Sequence, residues 1–316
     1  MRNKIKGLYE LLNNELVEYS NDIRKLPGIS TQVSRDVFVM QLIDSIRRVE
    51  YVIRIRNGKI DKVRTDPSSD HFDPLKAAIY QEREGNYNES VWLTFLTIHF
   101  GKSAKSEWRL ARDIYGGYTG NNIWTWERIS NDPASFDAWY DSVANDIMND
   151  GIPRRFGNHR KYESLRPDVK KSLPMVFNSY VSWVGPDHNH SRLFNSTLDS
   201  IAGDRRGAFD LLYNSMRQVV SFGRTARFDY LTMVSKLGLV DIEPGKTYMS
   251  GATGPVSGAK LLLLGNTKAN VTNVLLETEL GRLEEHLSIG TLGMQVLEDA
   301  LCNWQKSPKK YILFRG

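Results

Sequence analysis

The chain has 316 residues, 41% of them apolar and 25% charged, a composition that supports a large folded core and excludes extended disorder. Its formal net charge of +5 and pI near 9.1 favour a polyanionic partner. A single cysteine, Cys302, excludes an internal disulfide and any multi-cysteine metal site, and no apolar run approaches the roughly 18 residues of a membrane span.

Helical periodicity runs through the chain. Ile5, Leu8, Leu11, Leu12 and Leu16 trace one face of a first helix that ends near Leu26-Pro27-Gly28. The opening residues read as this amphipathic helix rather than as a signal peptide, which with the lone cysteine suits a reducing cytoplasm. A second helix is expected over about Gln32 to Arg56, carrying Arg47, Arg48, Arg54 and Arg56 on its polar side. After a loop over Asn57–Phe72, helices are expected at about 73–84, 88–100, 104–115 and 134–148. A second break, NDGIPRRFGNHRKYE, precedes helices at 164–184, 191–201, 207–220 and 224–237. A Gly-rich loop, SGATGPVSGAK, then opens a helix through Leu261–Leu264, followed by helices at about 269–287 and 291–306. Strand alternation is confined to the tail Tyr311–Phe314. The fold class is all-α and multi-helical. Residues 1–316 form one large domain, and the 184–191 loop is where two packed lobes, about 1–185 and 186–316, would divide.

Residues Val219–Leu231, VVSFGRTARFDYL, place Phe222-Gly223 between two apolar helical runs. That is the outline of a helix-hairpin-helix, whose second helix presents free N–H groups and a positive dipole end to a DNA phosphate. Gly223, Arg224 and Arg227 would make that grip, and Asp229 adds an acid where phosphate contacts alone want cations. An ordinary helical corner fits the same pattern, since Ser221 stands where a fuller hairpin would carry another glycine. The basic loop joins Arg154, Arg155, His159, Arg160 and Lys161 to Phe156 and Tyr162, a mixture suited to phosphate contact and base stacking, or simply to a solvated surface.

The Gly251–Lys260 loop lacks the spacing of a nucleotide-binding P-loop; Lys260 and its glycines read either as an anion contact or as close helix packing. On the last helix Glu298, Cys302 and Lys306 share one face, while Asp299 and Asn303 share the adjacent one beside Trp304. That set suits recognition of a base edge or a helix-surface ion pair. Asp187-His188-Asn189-His190 has no supporting metal-ligand cluster in the sequence and reads as a solvent loop, so neither a metal nor a cofactor is expected.

Six blocks, SIRR (45–48), FDPLKAAIY (72–80), FGNHRKYESL (156–165), FGRTARFDYL (222–231), ATGPVSGAKLLL and GMQVLEDALCNWQKS, resemble the α-glutamyl/putrescinyl thymine pyrophosphorylase family, clade 3. The resemblance spans nearly the whole chain. It implies a fold like that of helix-hairpin-helix DNA glycosylases and a role at modified thymines in DNA, some relatives resembling glycosylases that remove modified bases from viral DNA in antiviral defence. In other clades the hairpin reads more like GFGPFxAYQ with an Asp a few residues later; here that later position falls near Met233 and Asp229 replaces the Gln. LCNWQK resembles their LCExxK, so Leu301, Cys302 and Lys306 carry over and Asn303 replaces a Glu.

The expected activity is excision of a modified pyrimidine from double-stranded DNA by a monomeric glycosylase. Asp229 is the first choice of carboxylate and Asp299 the second. Lys306 serves as a further catalytic candidate, with Asn303, Trp304, Glu298, His159 and Tyr162 at the base. The alternatives are a transferase that displaces pyrophosphate from an activated hydroxymethyl pyrimidine, and a DNA-binding protein without catalysis.

Overall fold

The computed structural model describes residues 2–120 and 122–314. Fourteen α-helices lie among them, with no strand; the tail over 311–314 takes no regular secondary structure, and one isolated bridge joins Ser103 to Glu107. The chain divides into two compact units. One comprises residues 1–53 and 243–316, the other residues 54–242, so position 185/186 falls inside the second.

The first unit holds α1 (Arg2–Glu18), most of α2 (Gln32–Asn57), α12 (Gly254–Leu264), α13 (Asn273–His286) and α14 (Gly293–Trp304). Their apolar faces meet in one core containing Leu12, Phe38, Leu42, Leu262, Leu283 and Leu297. The Gly-rich loop is explained here by packing. A Cβ on Gly258 would lie 2.3 Å from the Leu301 carbonyl oxygen, so α12 can approach α14 only through a glycine. Lys260 is half-buried in the second turn of α12, away from its N-terminus.

The second unit holds α3 (Pro74–Arg83), α4 (Tyr87–Phe100), α5 (Arg109–Tyr115), α6 (Trp126–Asn131), α7 (Pro133–Asn149), α8 (Leu173–Val184), α9 (His190–Asp199), α10 (Arg205–Ser215) and α11 (Arg224–Lys236). Helix α4 is apolar nearly all round and runs through the core, as such a helix must. Its Phe95 stacks on Tyr180 at 3.8 Å and on Phe222 at 4.7 Å between ring centroids. Asp73, Asp132, Asn189 and Asp204 cap α3, α7, α9 and α10 by accepting a first-turn N–H. Two expected helices are shorter than the periodicity suggested. Helix α8 starts at Leu173, because Pro167 disfavours helical geometry before it and Pro174, lacking an N–H, belongs in a first turn. Helix α5 starts at Arg109, because Ser103–Glu107 closes into a bridged turn with Glu107 at φ +49°.

Candidate active site

Helix α10 gives way to a 3₁₀ turn over Met216–Gln218, and the chain then reverses to enter α11. Ser221 takes φ +63°, the left-handed conformation that the glycine of a fuller hairpin would adopt freely. The hairpin turn therefore forms without that glycine. Gly223, the N-cap of α11, has φ −67°, and a Cβ added there would meet nothing within 4 Å. Neither backbone geometry nor packing demands a glycine at 223. Its missing side chain leaves the first N–H groups of α11 open to close approach from outside.

The two hairpin arginines part company. Arg227 is 9% exposed; its Nη1 donates to the Tyr213 carbonyl at 2.8 Å and its guanidinium lies 4.2 Å from the Tyr213 ring centroid. It clips α11 to α10, which corrects its expected role as a phosphate contact. Arg224 is half-exposed at the mouth of the helix, over the Phe228 ring at 5.5 Å.

Asp229 lies in the second turn of α11. Its side chain is 36% exposed, and its carboxylate makes no hydrogen bond among the described residues. It has one ion pair there, to Arg160 Nη2 at 3.6 Å. Burial pushes its pKa above the ordinary aspartate value, opposed first by Arg160 and then by His159, Lys236 and Arg224. Surrounding protein thus deprives the carboxylate of water while a third of the side chain stays reachable, an arrangement typical of a reacting acid.

The basic loop reaches Asp229 by a close fit of backbone on backbone. Gly157 N–H donates to the Phe100 carbonyl at 2.8 Å, and a Cβ there would stand 2.9 Å from the Gly101 carbonyl carbon. This pins the loop to the end of α4. Arg160, 7% exposed, then donates to the carbonyls of Ile98 at 3.0 Å and His159 at 3.2 Å while its Nη2 faces Asp229. Arg154 is buried as well, held by Asp113 at 2.6 Å and Asp150 at 2.7 Å. Arg154 and Arg160 are therefore internal struts rather than part of a solvent-facing basic surface. The outward groups of the loop are Arg155, Asn158, His159, Lys161 and Tyr162, the last 89% exposed with Lys161 Nζ 5.0 Å from its ring centroid.

Sequence reasoning missed the mount beneath Asp229. Tyr230 and Tyr180 share a hydroxyl hydrogen bond of 2.8 Å, Tyr180 bonds His190 Nε2 at 2.9 Å, and His190 Nδ1 reaches Asn88 Oδ1 at 3.0 Å. Asn88 Oδ1 is an acceptor, so His190 donates from Nδ1 and accepts from Tyr180 at Nε2. This chain ties α11 to α8, α9 and α4. His99, also missed, is 2% exposed beside Phe156 and Phe222, and its Nε2 has no partner among the described residues. Burial, then the Arg160 charge, lowers its pKa to about 3.

The second expected carboxylate belongs to the other unit and has a different character. Asp299 accepts from Arg48 Nε at 2.7 Å, from Ser45 Oγ at 3.1 Å and from Asn303 Nδ2 at 3.1 Å, with Arg48 Nη2 also in ion-pair range at 2.7 Å. Lys306 donates to Asn303 Oδ1 at 3.0 Å. Asp299, Asn303 and Lys306 do come together, as a saturated network. Glu298 is half-buried one residue before Asp299. Trp304 is fully buried against Phe38, ring centroids 5.1 Å apart, so it is core and not a surface for a base. Among the described residues no group of three or more His, Cys, Asp or Glu is placed to hold a metal, and no helix is long and apolar enough to cross a membrane.

Residues 33–316 match the family model described as alpha-glutamyl/putrescinyl thymine pyrophosphorylase clade 3. The chain belongs to this family. The match takes in both carboxylates, the basic loop and the hairpin. No curated protein and no solved structure matches the chain.

Proposed function

We propose that the protein is a DNA glycosylase that excises a modified pyrimidine, with Asp229 as the reacting carboxylate. The observation that carries this reading is the under-bonded, desolvated Asp229 on the helix whose N-terminus Gly223 leaves open. DNA backbone would dock by its phosphate on that N-terminus, with Arg224, Arg155 and Lys161 adding charge. Tyr162, almost wholly exposed, is suited to fill the gap left by the extruded nucleotide. As the C1′–N bond breaks, its electron pair leaves with the base and positive charge grows on the sugar. The Asp229 carboxylate opposes that charge and orients a water that adds to C1′; the water's proton passes to the carboxylate and on to the departing base. Arg160 holds the carboxylate in place without a tight hydrogen bond, leaving its lone pairs for water.

The family's description favours a second reading, in which an amine nitrogen bonds to the methylene carbon of an activated thymine derivative, pyrophosphate leaves with the C–O electron pair, and the base stays in the strand. One experiment separates the two. The chain is incubated, with and without a primary amine such as putrescine, with DNAs carrying different modified pyrimidines, including pyrophosphorylated hydroxymethyl bases. Free base by mass spectrometry together with alkali-labile sites supports excision; pyrophosphate release with an intact glycosidic bond overturns it in favour of transfer.

A further inference from the structure

The second unit carries a recess of about 430 Å³ apart from the carboxylate, within the size range of small-ligand sites. Its walls combine one accessible aromatic, the half-buried Trp108, with the cations Lys105, Arg109 and Arg112. Two carboxylates line it too, each held in an ion pair. Asp70 is paired with Arg112, whose Nε also binds Asp113 at 2.9 Å, and Glu107 is paired with Lys102 at 2.5 Å. Arg112 holds the Asp70 carboxyl below the usual carboxylate range, so it stays ionised and bound. The side chains of Lys105 and Arg109 make no hydrogen bond or ion pair among the described residues, while the Arg109 charge acts on Asp70 from beyond ion-pair range. The recess thus offers two cations outside any ion pair beside an aromatic face. The turn that carries Lys105 and Ser106 is closed by Ser103 and Glu107, which exchange backbone hydrogen bonds of 3.1 and 2.9 Å, with Glu107 at φ +49°. Ser106 Oγ accepts the Arg155 N–H at 3.1 Å, which joins this wall to the basic loop.

We propose that this recess binds a nucleoside phosphate, the phosphate between Lys105 and Arg109 and the base against Trp108. Aromatic stacking and charge pairing are the two interactions by which proteins hold nucleotides without reading their sequence. The nucleotide comes either free from solution or from an unpaired end of a DNA strand. The site does not depend on the chemistry of Asp229.

The test follows the Trp108 indole N–H by NMR in the full chain, assigned with Trp108→Phe, during titration with four probes. These are thymidine 5′-monophosphate, thymidine, inorganic phosphate and a 5′-phosphorylated single-stranded oligonucleotide. The monophosphate or the oligonucleotide should shift the Trp108 signal, at least tenfold more tightly than thymidine or phosphate alone. Lys105→Ala/Arg109→Ala should weaken that binding at least tenfold with an unchanged melting temperature, while Asp229→Asn and Lys268→Ala, the latter at an exposed lysine of the first unit, should leave it intact. Saturation by the monophosphate identifies the free nucleotide as a ligand, and saturation by the oligonucleotide alone identifies the strand end. Absence of a Trp108 shift with both, equal affinity for inorganic phosphate, or undiminished binding to the double variant overturns the proposal.

Discussion

Asp229 and Asp299 carry the same functional group in opposite conditions. Asp299 is held by three hydrogen bonds and the Arg48 ion pair, so its charge serves the fold. Asp229 has a single ion pair 3.6 Å long and is otherwise left to the solvent at its mouth. Asp229→Asn should therefore keep the melting temperature and DNA affinity near those of the parent while base release falls about 100- to 1000-fold, because the neutral amide cannot oppose the sugar cation. Asp299→Asn should do the reverse. It should cost roughly 1 kcal/mol of stability, a modest figure because the pair is about one-third exposed, and leave turnover within a few-fold. Full activity in Asp229→Asn would remove the mechanism. The parent's rate should also fall in acid at a pH above the ordinary aspartate value, since the active form is the carboxylate and burial raises the pH at which it protonates. A pH–rate profile checks that limb.

At the scale of elements, the hairpin and the basic loop each divide into residues that build and residues that face outward. Arg227 and Arg154 have bonds within the protein, whereas Arg155 and Lys161 point to solvent. Arg155→Ala/Lys161→Ala should weaken DNA binding and flatten the dependence of log affinity on log salt by about 2, because each phosphate that a cation neutralises adds nearly one to that slope. Arg227→Ala should instead lower stability by about 1–3 kcal/mol, since it removes the buried hydrogen bond to the Tyr213 carbonyl and the guanidinium–ring contact. Salt titration of DNA affinity and urea unfolding of both variants separate the two effects. The turn itself offers a gain. Ser221 sits at φ +63° with its hydroxyl buried and unpaired among the described residues, so Ser221→Gly relieves both and should raise stability by about 1 kcal/mol. A lower unfolding midpoint in that variant would show that the serine holds the turn by some other means.

Across the whole molecule, buried histidines set the response to acid. Burial lowers the pKa of both His99 and His190 to about 3, far below the 6.5 of an accessible imidazole. Between those values the unfolded chain binds protons that the folded chain refuses. Their stabilising contribution is complete above about pH 6.5 and is lost as pH falls toward 3, at about 1.4 kcal/mol per pH unit for each histidine. His99→Phe should remove one such increment from the slope of unfolding free energy between pH 6 and 4, whatever its effect on the baseline. An unaltered slope would mean that His99 is protonated in the fold.

The sequence by itself determined the helical class, the hairpin turn at Phe222-Gly223, the basic loop and the family, because each is written in local patterns of apolar spacing, glycine and charge. It also brought Asp299 and Asn303 together, since residues four apart on a helix are neighbours, while the bond from Lys306 to Asn303 joins two faces that the sequence had placed side by side. Only the tertiary structure decided which charged groups remain open. Arg154, Arg160 and Arg227 look the same in sequence as Arg155 and Arg224, and their inward course depends on Asp113, Asp229 and the Tyr213 carbonyl, partners 41, 69 and 14 residues away. The same holds for Trp304, buried on Phe38, and for the Tyr230–Tyr180–His190–Asn88 chain, whose members come from four helices and their flanks. A side chain's charge is local, but its desolvation is the sum of everything packed around it, and that sum exists only once the helices have met.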